Sequence, residues 1–111
     1  MKRTLLFGII CFTILPVFGQ NWTGAVSSDW NNAANWSATP SNGDDITIDP
    51  ANYTGAMAQP LVSGTSNFTP GEMLVQNGAE LTISGTLNTT DRVEIIGAGT
   101  IVTITASGSF S

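Results

Sequence analysis

Asp44, Asp45 and Asp49 are the densest group of carboxylates in the sequence. Oxygen-only ligands at such close spacing could hold a calcium ion. Asp45 and Asp49 also flank the alternating Ile46 and Ile48, so solvated side chains beside a turn are the simpler account. Glu72, Glu80 and Glu94 could supply the paired carboxylates of glycoside chemistry, but nothing in their spacing pairs them, and a solvated strand face is the plainer reading. The chain has no histidine, and its single cysteine, Cys11, stands near the N-terminus. A Ser–His or Cys–His nucleophile is therefore excluded within this chain. No catalytic residue, metal ligand or cofactor-binding residue is assigned, no cofactor is expected, and the chain reads as non-enzymatic.

The remaining candidates are aromatic. Trp22, Trp30 and Trp36 are the only tryptophans and fall within fifteen residues. Three indoles so close could stack on sugar rings. They could equally be buried, since each carries a large apolar surface that water does not favour. In that reading they plug the end of a core. Ser28 or Asp29 could cap a single turn across Trp30 to Ala34, and the surrounding asparagines can hold an irregular coil by local bonds to the backbone.

These residues need elements to position them. Met1 to Gly19 has the form of a secretory signal peptide: Lys2 and Arg3, an apolar run from Thr4 to Phe18, then Val17 and Gly19 at the positions small residues occupy before cleavage. The run is shorter than the roughly 20 residues of a comfortable membrane span, and Ile10 before Cys11 does not suit a lipoprotein. Removal of residues 1–19 leaves no thiol and Arg92 as the sole base against eight acids, a net charge near −7. Such a chain lacks the cations that release counterions from phosphates, so nucleic acid is not a partner. Anionic lipid is disfavoured likewise, and no membrane span is expected in the mature form. Charged residues are 10% of the chain and apolar ones 41%, which points to a folded domain despite the acidity. The Asn-x-Ser/Thr triplets at Asn21, Asn35, Asn52, Asn67 and Asn88 would be glycan acceptors only in a eukaryotic secretory pathway.

From Ile46 onward the pattern is of short strands and turns, with no stretch of helical periodicity. Gly78-Ala79-Glu80-Leu81-Thr82-Ile83-Ser84 is matched 21 positions later by Gly99-Thr100-Ile101-Val102-Thr103-Ile104-Thr105. Gly-x-apolar follows each copy, as Gly85-Thr86-Leu87 and Gly108-Ser109-Phe110. A short repeat of this kind predicts an all-β strand solenoid, a parallel β-helix of about three coils over residues 46–111. Residues 20–45 would form its Trp-rich cap. Thr82 would lie over Thr103, and Met73, Val75, Leu81, Ile83, Leu87, Val93, Ile95, Val102 and Ile104 would face inward. A small antiparallel sandwich is the rival fold. No polar cap follows Phe110, so the solenoid is expected to be truncated and to continue in a longer parent chain.

Trp22-Thr23-Gly24-Ala25, Asp29-Trp30, Asn35-Trp36-Ser37, Pro40 and Gly43-Asp44-Asp45-Ile46-Thr47-Ile48, with the later Gly78-Ala79-Glu80-Leu81-Thr82-Ile83, resemble the opening of large bacterial secreted and surface proteins, often exported by the type IX route. The resemblance implies a parallel β-helix and an adhesin-like or stalk-like role, with no shared catalytic residue to carry over. The expectation is a non-enzymatic N-terminal module of a secreted or cell-surface protein, with further β-helix coils as partners and surface glycans as possible ligands. The alternative is a carbohydrate-binding module, or the front of a β-helical polysaccharide-degrading enzyme, with Trp22, Trp30 and Trp36 stacking on sugar.

The processing expectation is directly testable. The exported product should begin at or near Gln20, and N-terminal sequencing that finds residues 1–19 retained would refute it.

Overall fold

In the computed structural model, residues 19–55 and 58–111 are described. The expected signal peptide, apart from Gly19, lies outside them. Strand runs alternate one residue in, one residue out, as the β-period requires. Ile46-Thr47-Ile48 is buried at both isoleucines, and Met73-Leu74-Val75-Gln76 is buried at Met73 and Val75. The strands are β1 (Gln20–Asn21), β2 (Ile46–Ile48), β3 (Leu61–Val62), β4 (Met73–Gln76), β5 (Glu80–Ile83), β6 (Thr86–Leu87), β7 (Val93–Ile96), β8 (Ile101–Ile104) and β9 (Ser109–Phe110). Two 3-10 turns interrupt them, at Ala33–Asn35 and Pro50–Asn52.

Every strand pair among the described residues is parallel. The four-stranded sheet runs β1-β2-β4-β7, the three-stranded one β3-β5-β8, and the two-stranded one β6-β9. The repeat read in the sequence is a real register: Leu81 pairs with Val102, Thr82 with Thr103 and Ile83 with Ile104, while Thr86 pairs with Ser109 and Leu87 with Phe110. Asn77-Gly78 turns the chain between β4 and β5 with both residues at positive φ, 59° and 88°. Asn and Gly tolerate that conformation best. A Cβ at Gly85 would collide with the Gly64 carbonyl, so only glycine lets these two backbones approach.

The expected architecture is nevertheless corrected. A multi-coil β-helix repeats one strand pattern at one period. Here the three small sheets are of unequal size, and among the strand pairs the 21-residue spacing holds only within β3-β5-β8, while β6 and β9 pair at 23. Gln20 pairs with Ile46 and Ile46 with Met73, offsets of 26 and 27 residues, yet Met73 pairs with Val93 at 20. The Trp-rich segment and the Pro50–Asn52 turn take up the difference. The described chain is a small, compact all-β unit of three parallel sheets, not an elongated, regular solenoid. Nor is it the antiparallel sandwich, because the one antiparallel contact among the described residues is the isolated Trp22–Trp36 bridge. The expectation that further β-helix coils of a parent chain stack on the unit also falls with the regular solenoid.

The core sits between the sheets. Ile46, Ile48, Val62, Met73, Val75, Leu81, Ile83 and Leu87 are buried, and Trp22, Trp30, Trp36 and Phe68 join them. Burying each branched side chain contributes about 1.5–3 kcal/mol. The inward positions expected on the later strands are less covered: Val93 and Val102 are half-buried, and Ile95 and Ile104 leave about half their surface open. They belong to strands that end their sheets, so no neighbour shields one side.

The aromatic group is dense. Trp30 stacks on Phe68 with centroids 5.5 Å apart and rings 3° from parallel. Trp36 stands edge-on to Trp22, Trp30 and Phe68, at 5.2, 4.8 and 5.5 Å. Each indole N–H is satisfied: Trp22 donates to the Ala58 carbonyl, Trp30 to Ser66 Oγ and Trp36 to the Trp30 carbonyl, at 3.0, 2.8 and 2.9 Å. Trp30→Ala should therefore destabilise the fold by about 3–5 kcal/mol in urea titrations. Wild-type emission should be blue-shifted and poorly quenched by acrylamide; a red, freely quenched spectrum would contradict this packing.

Candidate functional site

The three sequence-predicted sugar platforms are placed where they cannot serve. Trp22, Trp30 and Trp36 are 0%, 1% and 5% exposed, with their faces covered by one another and by Phe68. A hollow of about 230 Å³ reaches Trp30, Trp36 and Phe68 beside Asn67 and Pro40, but these three side chains leave 5% or less of their surface open to it.

Asp44, Asp45 and Asp49 do not converge either. Asp44 Oδ2 accepts from the Ser41 N–H at 2.8 Å, and Asp45 Oδ1 accepts from the Glu72 N–H at 2.9 Å. Asp49 turns inward, contrary to the expected solvated position, and is buried. Its Oδ1 caps the Pro50–Asn52 turn by accepting from the Ala51 N–H at 2.9 Å. Its Oδ2 accepts from Gln76 Nε2 at 2.8 Å and Asn77 Nδ2 at 2.9 Å. No cluster of three metal-ligating side chains occurs among the described residues.

Of the two expected caps, Asp29 does cap a turn beginning at Trp30, but that turn is shorter than the expected Trp30 to Ala34. The 3-10 turn begins later, at Ala33, with Asn32 as its N-cap accepting from the Ala34 N–H at 3.0 Å. Asp29 caps the preceding turn at Trp30 and Asn31: its Oδ1 accepts from the Asn31 N–H at 3.0 Å and its carbonyl from the Asn32 N–H at 3.1 Å.

The feature that remains lies on the outer face of the four-stranded sheet. Register places Asn21, Thr47, Leu74 and Glu94 side by side. Asp45, Glu72 and Arg92, each just before an inward residue, form the neighbouring row. Together with Gln76 these side chains line a concave surface of about 620 Å³. Arg92 Nε donates to Glu72 Oε2 at 2.6 Å, a second guanidinium nitrogen contacts the same oxygen, and Nη1 lies 3.9 Å from Glu94 Oε2. The hydrogen bond and charge of Glu72, then the charge of Glu94, raise the Arg92 pKa further. Three acids and one base leave the wall negative, and Leu74 gives it an apolar floor. The guanidinium bonds to Glu72 and stands 3.9 Å from Glu94, so both carboxylates of this would-be glycoside pair have a cation beside them.

The sequence did not single out this trough. Asp45, Glu72 and Arg92 are 27 and then 20 residues apart, so no constant period aligns them. The signal available was the outward half of each strand's alternation.

These features define a small all-β domain of three parallel sheets, with an acidic trough on its largest sheet and its tryptophans internal. A family model, described as a domain of unknown function (DUF8693), matches residues 21–110, and the chain belongs to that family. No curated protein and no solved structure matches it. The resemblance to β-helical surface proteins is thus corrected. With it go the adhesin or stalk role, the carbohydrate-binding and polysaccharide-degrading alternatives, and the partnerships with further coils and surface glycans.

Asp49 yields a pH prediction. Burial pushes its carboxyl up, but the bonds from Ala51, Gln76 and Asn77 outweigh this and hold it below the ordinary range. A depressed carboxylate stabilises the fold fully above its unfolded pKa of about 3.9, and this contribution disappears as pH falls through the lower folded value. Asp49→Asn should cost about 1–2 kcal/mol at neutral pH. It should also flatten the fall in urea stability below about pH 4; an unchanged acid profile would remove Asp49 from that role.

Proposed function

We propose that this is an exported, non-enzymatic binding domain whose outer sheet trough takes a cationic, partly apolar segment of a partner. The trough carries the reading. Asp45, Glu72 and Glu94 surround a half-buried Leu74 on a rigid parallel sheet, in a chain with only one base after Gly19. A Lys or Arg side chain would meet Glu94, whose contact with Arg92 is loose, and lay its methylene stem on Leu74. Net acidity would steer such a partner toward the domain and make binding salt-dependent. Export is supported by Lys2-Arg3 and the following apolar run. No described helix is long and apolar enough to cross a membrane. The non-enzymatic reading is supported by the absence of histidine from the chain and by the Arg92 guanidinium lying against Glu72 and Glu94.

Amide chemical-shift mapping with a Lys/Leu peptide tests this. Shifts should centre on Thr47, Leu74 and Gln76, weaken with salt, and be absent with a Glu/Leu peptide. Glu94→Gln should weaken binding by roughly two- to fivefold, as expected for one exposed charge contact. Equal binding of both peptides, or shifts centred elsewhere, would overturn the proposal.

A further inference from the structure

All three sheets end on late strands: the four-stranded one on β7, the three-stranded one on β8 and the two-stranded one on β9. Ile95, Ile96, Ile101 and Ile104 on these strands each leave about half their surface open. Strand edges are normally protected by lysine, proline or a bulge. Residues 93–96, 101–104 and 109–110 contain neither lysine nor proline, and their pairing runs without a skipped residue.

β8 can be followed atom by atom. The Ile101 and Thr105 N–H groups donate to the Ala79 and Ile83 carbonyls, at 2.9 and 3.0 Å. By alternation, Val102 and Ile104 turn their N–H and C=O groups to the free edge. These are also the residues on the inward face. An antiparallel second β8 centred on Thr103 therefore satisfies both requirements at once. Val102 of one copy faces Ile104 of the other as a hydrogen-bonded pair, and Thr103 faces Thr103 as a non-hydrogen-bonded pair. A one-residue slip would turn inward side chains outward and misalign the free groups.

Charge selects the occupant. Thr100 to Ser111 contains no charged side chain, whereas residues 20–111 as a whole carry one base against eight acids. Two copies meeting on the face of the four-stranded sheet bring the acids Asp45, Glu72 and Glu94 against one another. At β8 they meet neutral against neutral, apolar against apolar. We infer that β8 is a self-complementary docking edge, and that a second copy of this chain pairs with it in antiparallel register about a two-fold axis at Thr103.

Cross-linking and sedimentation test the inference on the purified chain. In a Cys11→Ser background, Thr103→Cys should oxidise to a disulfide-linked dimer, because facing residues of a non-hydrogen-bonded pair stand within the Cα separation a disulfide needs. Thr82→Cys, on the same face but one strand inside the sheet, should not. Sedimentation should show a monomer–dimer equilibrium that shifts across about a hundredfold range of concentration. Ile104→Pro removes an N–H that no described strand uses, and should yield a monomer with unchanged tryptophan emission. A monomer at every concentration overturns the inference. So does equal cross-linking of the two cysteine variants, or a dimer that survives Ile104→Pro.

Discussion

The Asn35 side chain is the constraint on which the N-terminal third depends. It is fully buried and makes every bond its amide can make. Its Oδ1 accepts from the Val26 and Ser27 N–H groups, and its Nδ2 donates to Ser27 Oγ and to the Asp29 carbonyl, all at 2.9–3.0 Å. Its own carbonyl accepts from the Thr23 and Gly24 N–H groups. Residues 23–29 form no strand, so their backbone groups have few other partners. An apolar residue at position 35 would strand several of them, each at a cost of about 1–3 kcal/mol when buried. One amide thus replaces a ladder of strand bonds.

The aromatic cluster follows from that knot. Asn35 fixes the path between Trp30 and Trp36, and the Trp36 indole N–H closes back on the Trp30 carbonyl. Phe68 arrives from the loop after β3 and completes the stack, while Asn31 tethers that loop through Thr65 and Asn67. The same cluster that makes the unit stable removes its indoles from any ligand. Function then has to be sought on the outside of the sheets, where strand alternation leaves polar residues.

What could be read from the sequence divides along physical lines. Alternation identified Ile46, Ile48, Met73, Val75, Leu81, Ile83 and Leu87 as inward, because a half-buried strand obeys period two whatever its neighbours. The Thr82–Thr103 register was legible because both copies keep the same spacing. The regular solenoid was over-read from that one pair: offsets of 26 and 27 residues in the largest sheet depend on turns whose paths are set by contacts remote in sequence. Asp49 was misplaced for a related reason. Next to Ile48 it should point outward, but the Pro50–Asn52 turn and the amides of Gln76 and Asn77, 27 and 28 residues on, draw it in. The trough was hidden because its charged row crosses three strands at unequal intervals.

A parallel sheet face and a parallel sheet edge make different demands, and this chain separates them. The face of the four-stranded sheet can carry Asp45, Glu72 and Glu94 because its backbone bonds are made between strands, leaving side chains free to choose polarity. Tyr53 lies away from that face: burial first, then the charges of Asp49 and Glu80, push its hydroxyl up to about 12, while it donates to Gln59 Oε1 at 2.6 Å. The Gln59 oxygen also accepts from the Glu80 N–H at 3.1 Å, joining the loop before β3 to the start of β5. Edges cannot make the same choice, since their unpaired N–H and C=O groups persist whatever side chains they bear. Concentrating carboxylates on one sheet face and leaving Thr100 to Ser111 uncharged therefore gives one small domain two distinct surfaces. One is selective through charge, and the other through backbone register.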